Sequence, residues 1–245
     1  AASDVYKRQM VDYGTGSQAA FAISAALFQR EQSGKGQHID VSMLDSALML
    51  MSANVAGTQA DGHPPRAQGN AHPHYAGYAT YATKDGLLMV GAWTNQQMST
   101  LFRALGDPKR AEAMESTPRG KVGLRRDADT AFLRARLAEK TADEWETMLN
   151  DAAVPAARVR RLDEAMAHEQ VVSRTVLQSY PGAERIGVPN ALPVAAFTYH
   201  HGGPKADRPP PKVGEHTVEI MKELAYDGVA ISDLEERGII ATFPP

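Results

Sequence analysis

The sequence predicts an α/β fold that contains a small α+β domain, and three observations carry that prediction. Stretches with the apolar spacing of helices take turns along the chain with short runs that alternate as strands do. Lys84-Asp85-Gly86 sits between two strand-like runs, residues 78–83 and 87–92, as a three-residue hairpin connection with Gly where a positive φ is wanted. Residues 58–76 are dominated by Gly, Pro, His and Gln around Pro64-Pro65, the composition of a stiff segment between folded parts. With 43% hydrophobic and 22% charged residues in 245, the chain has globular statistics and length for one or two domains.

The elements follow in order. Residues 1–9 show no periodicity and read as a truncated or non-native start. Val11-Asp12-Tyr13-Gly14-Thr15-Gly16 then sets an acid at a glycine-flanked entrance to a helix over 16–30. Thr15 or Ser17 would cap that helix, and Ala19, Ala20, Ala22, Ile23, Ala26 and Leu27 would form its buried face. Ser33-Gly34-Lys35-Gly36 breaks it, and residues 37–41 alternate as a short strand. Ser42-Met43-Leu44-Asp45 reads as a capping box for a helix whose stripe is Met43, Leu44, Ala47, Leu48, Met51 and Val55, ended by Gly57. A linker is placed over 59–75, and a small α+β domain follows it. Inside that domain Thr94-Asn95-Gln96-Gln97 is a second capping box, opening a helix with Met98, Leu101, Phe102 and Leu105 inward and Gly106 at its end. Helices over 127–139 and 142–150 follow, the latter introduced by Thr141-Ala142-Asp143-Glu144. Beyond Val154-Pro155 come a strand-like stretch at 158–161, a helix from Asp163, and extended segments near 171–180 and 191–199. After Pro209-Pro210-Pro211, a helix over 218–224 enters at Gly214-Glu215-His216-Thr217, and a last one lies near 232–237.

Composition narrows the chemistry. A formal charge of −3 and a pI near 6.3 give no basic field, which argues against nucleic acid as a partner. With no Cys, disulfides, thiolate metal sites and a cysteine nucleophile are excluded, and a reducing cytoplasm is the expected location. No apolar run approaches the roughly 18 residues of a membrane helix, so a soluble protein with no membrane partner is expected. Carboxylate, hydroxyl, His or Lys must carry the reaction. Asp12 is the leading candidate, because the amides and the positive dipole end of the following helix would face an oxyanion beside it. The competing reading is that it merely caps that helix. Gly69-Asn70-Ala71-His72-Pro73-His74 joins the two folded parts and is the candidate loop over the active site. His72 and His74, an i,i+2 pair interrupted by Pro and without nearby acids, do not predict a metal. Asp40, Asp45, His200, His201 and His216 are assigned structural roles. Trp93, which could also line an acyl pocket, is assigned to core packing, as are Phe102, Trp145 and the Met stripe of 43–51.

The ordered set of Asp12-Tyr13-Gly14-Thr15-Gly16, Ala25-Ala26-Leu27, Arg30-Glu31-Gln32-Ser33-Gly34-Lys35-Gly36-Gln37 and Asp40-Val41-Ser42-Met43-Leu44-Asp45 resembles the class III CoA-transferase family. That family includes formyl-CoA transferase, carnitine CoA-transferases and α-methylacyl-CoA racemase. The likeness continues through Gly69-Asn70-Ala71-His72-Pro73, residues 81–86, Val154-Pro155-Ala156-Ala157 and Gly214-Glu215-His216-Thr217, and so covers the chain from Met10 onward. Family members carry about as much chain again before the acid. The resemblance therefore implies that 10–58 is the second part of a Rossmann-like large domain, that 76–170 is the small α+β domain, that 171–245 returns to the large one, and that two chains interlock as a homodimer.

It also implies a reaction. CoA would move between an acyl-CoA thioester and a carboxylic acid, with Asp12 as the nucleophile and an aspartyl anhydride and thioester as intermediates. Coenzyme A enters as substrate, with no permanently bound cofactor. Lys35, between two glycines, is the candidate contact to a CoA phosphate, against the reading of an exposed turn lysine. Gly69, Asn70, His72 and His74 would form the substrate loop. The run of consecutive glycines that formyl-CoA transferase carries in this region is absent here, which weakens a formyl-CoA and oxalate assignment. Two alternatives stand beside transfer: racemisation of a 2-methylacyl-CoA, with Asp12 exchanging the α-proton, and a non-catalytic fragment whose apolar helix faces lack partners.

Overall fold

The computed structural model describes residues 4–182, 187 and 191–243, with side chains from Gln9 onward. The described chain forms two compact units. The first runs to Thr80 and adds Ala92–Arg103 and Asp107–Leu133; the second comprises Tyr81–Gly91, Ala104–Gly106 and the chain from Arg134.

In the first unit, helix α1 spans Asp4–Ser33, α2 Met43–Leu50 and α3 Ser52–Asp61. The expectation that Asp12 stands at a helix entrance is corrected here: α1 begins at Asp4, inside the stretch read as an unstructured start, and Asp12 lies within it. Residues 4–13 contain neither Gly nor Pro. Gly14 and Gly16 each cost only about 1 kcal/mol relative to Ala in a helix, too little to stop a helix of this length. Thr15 and Ser17 do not cap. Their hydroxyls donate to the carbonyls of Val11 (2.7 Å) and Tyr13 (3.0 Å), one turn back along the same helix.

Three further expectations change. Residues 37–41 form no strand among the described residues. The helix expected to end at Gly57 runs through it, interrupted at Met51, and stops at Gly62, where a left-handed φ of 73° lets the Gly62 amide reach the Thr58 carbonyl. Ser42 caps α2 as expected by accepting from the Asp45 amide at 3.0 Å. The faces of α1 and α2 are not buried: Phe21, Ile23, Leu27, Met43, Leu44, Leu48 and Met51 are all exposed. Periodicity identifies an apolar face but not the element that covers it, and α1 packs mainly on α2.

The rest of the first unit is densely packed. Strand β1 (Tyr78–Ala82) starts in it, followed by α4 (Asn95–Ala104), α5 (Pro108–Glu115), a 3-10 turn over Arg119–Arg125, and α6 (Arg126–Leu137). Thr94 and Gln97 close the expected capping box: the Gln97 amide donates to the Thr94 hydroxyl (3.2 Å) and the Thr94 amide to Gln97 Oε1 (3.1 Å). Met98, Leu101, Phe102, Met114 and Leu133 are fully buried. Arg110 donates to the buried Asp129 at 2.6 Å and lies over the Phe132 ring, 4.5 Å from its centroid.

The second unit holds β2 (Leu87–Gly91), α7 (Ala142–Asp151) and β3 (Ala156–Arg158), with sheet order β1-β2-β3 and antiparallel pairing of Leu88 with Arg158 and Val90 with Ala156. The turn before β2 is closed by the Thr83 amide on the Gly86 carbonyl (2.9 Å), and Gly86 does not adopt the positive φ expected of it. Thr141 and Glu144 form the expected capping box of α7, and Trp145, Leu88, Val90, Leu137 and Leu149 make the core. Further on lie α8 (Leu162–Met166), α9 (Glu169–Ser173), the antiparallel pair β4 (Leu177–Ser179) and β5 (Ala191–Pro193), α10 (Thr217–Glu223) and α11 (Gly228–Glu236). Helix α9 replaces part of the extended segment expected at 171–180.

Candidate functional site

The loop that carries Gly69, Asn70, His72 and His74 is folded onto the start of β1. The Thr80 amide donates to the Asn70 carbonyl (3.0 Å), the His72 amide to the Tyr78 carbonyl (2.9 Å), and Ala71 bridges Ala79 antiparallel. Gly69 enters the loop at a φ of +62°, a backbone conformation that glycine takes without strain. Residues 73–77 must therefore reverse direction tightly, and Gly77 makes this possible. A Cβ there would stand 2.3 Å from Met98 Sδ and 2.9 Å from Ala92 Cβ, while its own carbonyl receives the Ala92 amide at 2.9 Å.

His72 is the centre of the loop. Its Nδ1 accepts from the amides of His74 (3.1 Å) and Tyr75 (3.3 Å), which leaves the proton of the neutral ring on Nε2. Rings surround it: Trp93 at 5.2 Å between centroids, Tyr75 at 5.7 Å, His74 at 5.8 Å and Tyr78 at 6.0 Å, the Trp93 and Tyr78 contacts being edge-to-face. Arg126 Nε donates to the His72 carbonyl at 3.1 Å and its Nη2 reaches Gln68 Oε1 at 3.4 Å, so α6 clasps the loop. Partial burial, reinforced by the neighbouring His74 and the Arg126 guanidinium, lowers the His72 pKa from its ordinary value. At neutral pH the ring is uncharged, and it offers one donor.

Asn95 ties this arrangement to the helices. It accepts from the Tyr75 hydroxyl (3.4 Å) and donates to the carbonyls of Met114 (3.2 Å) and Thr117 (2.7 Å) at the end of α5. Trp93, expected in the core, is 49% exposed and joins the ring cluster instead. It follows β2 directly, and the amides of Trp93 and Thr94 are held by Gln97 Oε1, so the capping box that starts α4 also sets where the indole stands. Tyr75, Gly77, Tyr78, Asn95 and Arg126 were not singled out by the sequence. The signal that points to the aromatic members is the spacing of His72, His74, Tyr75 and Tyr78 around a glycine in a loop.

Asp12 and Lys35 stand apart from this cluster, with no hydrogen bond, ion pair or ring contact to it among the described residues. The Asp12 carboxylate is exposed on α1 and makes no hydrogen bond or ion pair among the described residues. Lys35 is exposed in the turn after α1, its amide on Ser33 Oγ at 3.2 Å. Since α1 starts eight residues before Asp12, the amides that follow the acid are engaged within the helix. The expected oxyanion role of a helix entrance is not supplied there. Phe102 and Trp145 lie in the core as expected, while Met43, Met49 and Met51 do not. No group of three or more His, Asp or Glu that would hold a metal occurs among the described residues. No helix among them is long and apolar enough to cross a membrane.

Comparison with known proteins accounts for nearly the whole chain. The family model described as CoA-transferase family III matches residues 5–217, a span that takes in Asp12, Lys35 and the His72 loop. Over 235 residues the chain is 30% identical to succinyl-CoA:glutarate CoA-transferase of Homo sapiens, covering 94% of this chain and 52% of the relative. Acetyl-CoA:oxalate CoA-transferase of Acetobacter aceti is 28% identical over 203 residues, 83% of this chain and 51% of its own. The chain thus spans about half the length of these curated relatives. Among solved structures, a CAIB/BAIF family protein from Brucella suis superposes with a TM-score of 0.70 at 28% identity, over 88% of this chain and 55% of that one. A model matched over so much of the sequence, joined to a backbone that follows a solved member, leaves one assignment: the chain belongs to CoA-transferase family III.

Proposed function

We propose that this chain carries the acyl-transfer chemistry of a class III CoA-transferase, with Asp12 as the nucleophile. The family match across Asp12 is the observation that carries the reading, and the exposed, uncommitted carboxylate supports it. A carboxylate suits the task because its acyl adduct is a mixed anhydride, itself reactive. An Asp12 oxygen attacks the thioester carbonyl, the C–S bond breaks, and CoA leaves as thiolate. The thiolate attacks the Asp12 carbonyl of the anhydride, releasing the donor acid as its carboxylate and leaving Asp12 as a CoA thioester. The acceptor carboxylate attacks that thioester and expels the thiolate again. A last thiolate attack on the acceptor acyl carbon gives the new acyl-CoA and restores the Asp12 carboxylate. Each step exchanges one carboxylate for one thiolate, and water is not consumed.

The loop at Gly69, Asn70, His72 and His74 is the substrate loop in this reading, and Lys35 the phosphate contact. Residues 10–58 and 171–245 belong to a Rossmann-like large domain and 76–170 to a small one, and two chains form a cytoplasmic, interlocked homodimer. The test is chemical. The native enzyme is incubated with an acyl-CoA, trapped with hydroxylamine and mapped by mass spectrometry. Modification of Asp12, together with a loss of turnover on the order of 10⁴-fold in Asp12→Asn, is expected. Unchanged turnover in Asp12→Asn ends the proposal. Solvent deuterium entering the α-carbon without any label on Asp12 replaces transfer by racemisation.

A further inference from the structure

We propose that His72, Tyr78 and Trp93 form the recognition site for the free carboxylic acid substrate, which binds as its carboxylate with its apolar body against the three rings. The proposal rests on the acyl-transfer reading and adds the side chains that select the acceptor. The three rings are mutual neighbours, with centroids 5.2, 5.9 and 6.0 Å apart and every pair edge-to-face. Trp93 and Tyr78 keep 49% and 41% of their surface in water, a cluster of apolar ring area that the fold leaves uncovered.

Each ring ends in a hydrogen-bond donor: Nε2–H of His72, the Tyr78 hydroxyl and the Trp93 indole N–H. None of the three has a hydrogen-bond partner among the described residues. Arg125 Nε is the single buried side-chain nitrogen or oxygen without a hydrogen-bond partner among them, so the free Nε2 of the half-buried His72 opens to solvent. Its tautomer is set from behind by the two backbone amides on Nδ1. A carboxylate accepts only, and it gains charge-assisted bonds from such donors that an amide or ester does not. Local charge points the same way. Arg126 sits on the His72 carbonyl, and its positive field, which disfavours a proton on His72, favours an anion beside the ring. The acid nearest that guanidinium, Asp127 at 3.8 Å, is fully exposed and screened by solvent.

Benzoate, an aryl carboxylate, and benzamide, its uncharged counterpart, test this on the native enzyme by tryptophan quenching and calorimetry. Trp145 is buried, so a ligand at the exposed indole reports through Trp93. Saturable quenching by benzoate is expected, with benzamide at least tenfold weaker. His72→Ala and Trp93→Leu should each weaken benzoate at least tenfold. Tyr78→Phe, which removes only the hydroxyl and spares the packing, should weaken it about threefold, in line with one lost hydrogen bond. Benzamide binding as tightly as benzoate, or benzoate binding unchanged in all three variants, overturns the proposal. Its failure is distinct from that of acyl transfer: Asp12 labelled while benzoate ignores the rings sinks only the acceptor site. Normal benzoate binding with Asp12 never labelled leaves the acceptor site standing and ends the transfer reading.

Discussion

Helix α4 buries Met98, Leu101 and Phe102 completely, whereas α1, in the same unit, leaves Phe21, Ile23, Leu27 and Phe28 between 46% and 72% exposed. Both carry apolar residues at helical spacing, so the pattern itself does not decide burial. The difference lies in what each helix meets. A capping box starts α4, Asn95 ties that start to the end of α5, and Phe102 packs edge-to-face on Phe132 of α6 at 5.8 Å. For α1 the main neighbour is α2, itself apolar and exposed. A stripe of hydrophobic residues states a demand for a partner; only the supply of helices around α4 meets it within this unit.

The contrast is broken most directly by truncating one phenylalanine from each helix. Phe102→Ala should destabilise by about 3–5 kcal/mol, the range for deleting a buried aromatic ring. Phe21→Ala should stay within about 0.5 kcal/mol, as surface changes do. Denaturant titration of both variants decides. Equal losses would mean that α1 is covered in solution and that the comparison fails.

The glycines sharpen the same contrast at smaller scale. Gly77→Ala drives a methyl group to 2.3 Å from Met98 Sδ and should cost about 1–3 kcal/mol, as overpacking does. Gly16→Ala meets nothing within 4 Å and lies inside a helix, so it should stabilise by about 0.5–1 kcal/mol. Thermal melts that shifted the same way for both would contradict the packing described for the two sites.

The smallest effect is electrostatic. Hydrogen bonds from Arg103 and then Ser99 lower the Glu115 carboxyl to about 2. Its folded pKa lies below the unfolded value of 4.5, so its contribution is present above pH 4.5 and fades as the pH falls towards 2. Arg103→Gln should flatten stability against pH in that window. An identical slope in wild type and variant would remove this pair from the account of the packed region.

Local rules were legible where the chemistry is local. The boxes at Thr94 and Thr141, the inward set of α4 and the stop at Gly106, with its φ of 84°, all depend on residues within one or two turns. Even α5 carries its signal in the sequence, Asp107 accepting from the Arg110 amide with Pro108 at the first position. What failed was non-local. No pattern around Asp12 tells how far back α1 begins, and none around Trp93 tells whether the indole meets the core or water. The loop histidines stand out in the sequence by their polarity and position. Their partners, Trp93 and Arg126 among them, lie up to 54 residues away and converge only in three dimensions.

The short ladder that joins residues 70–72 to β1 gives the candidate loop a clock. Any excursion that lifts the backbone of residues 70–72 from β1 must break two backbone bonds, those of the His72 and Thr80 amides. Their exchange with heavy water therefore measures how often the loop opens, and a bound acid that holds the rings together would slow both amides in step.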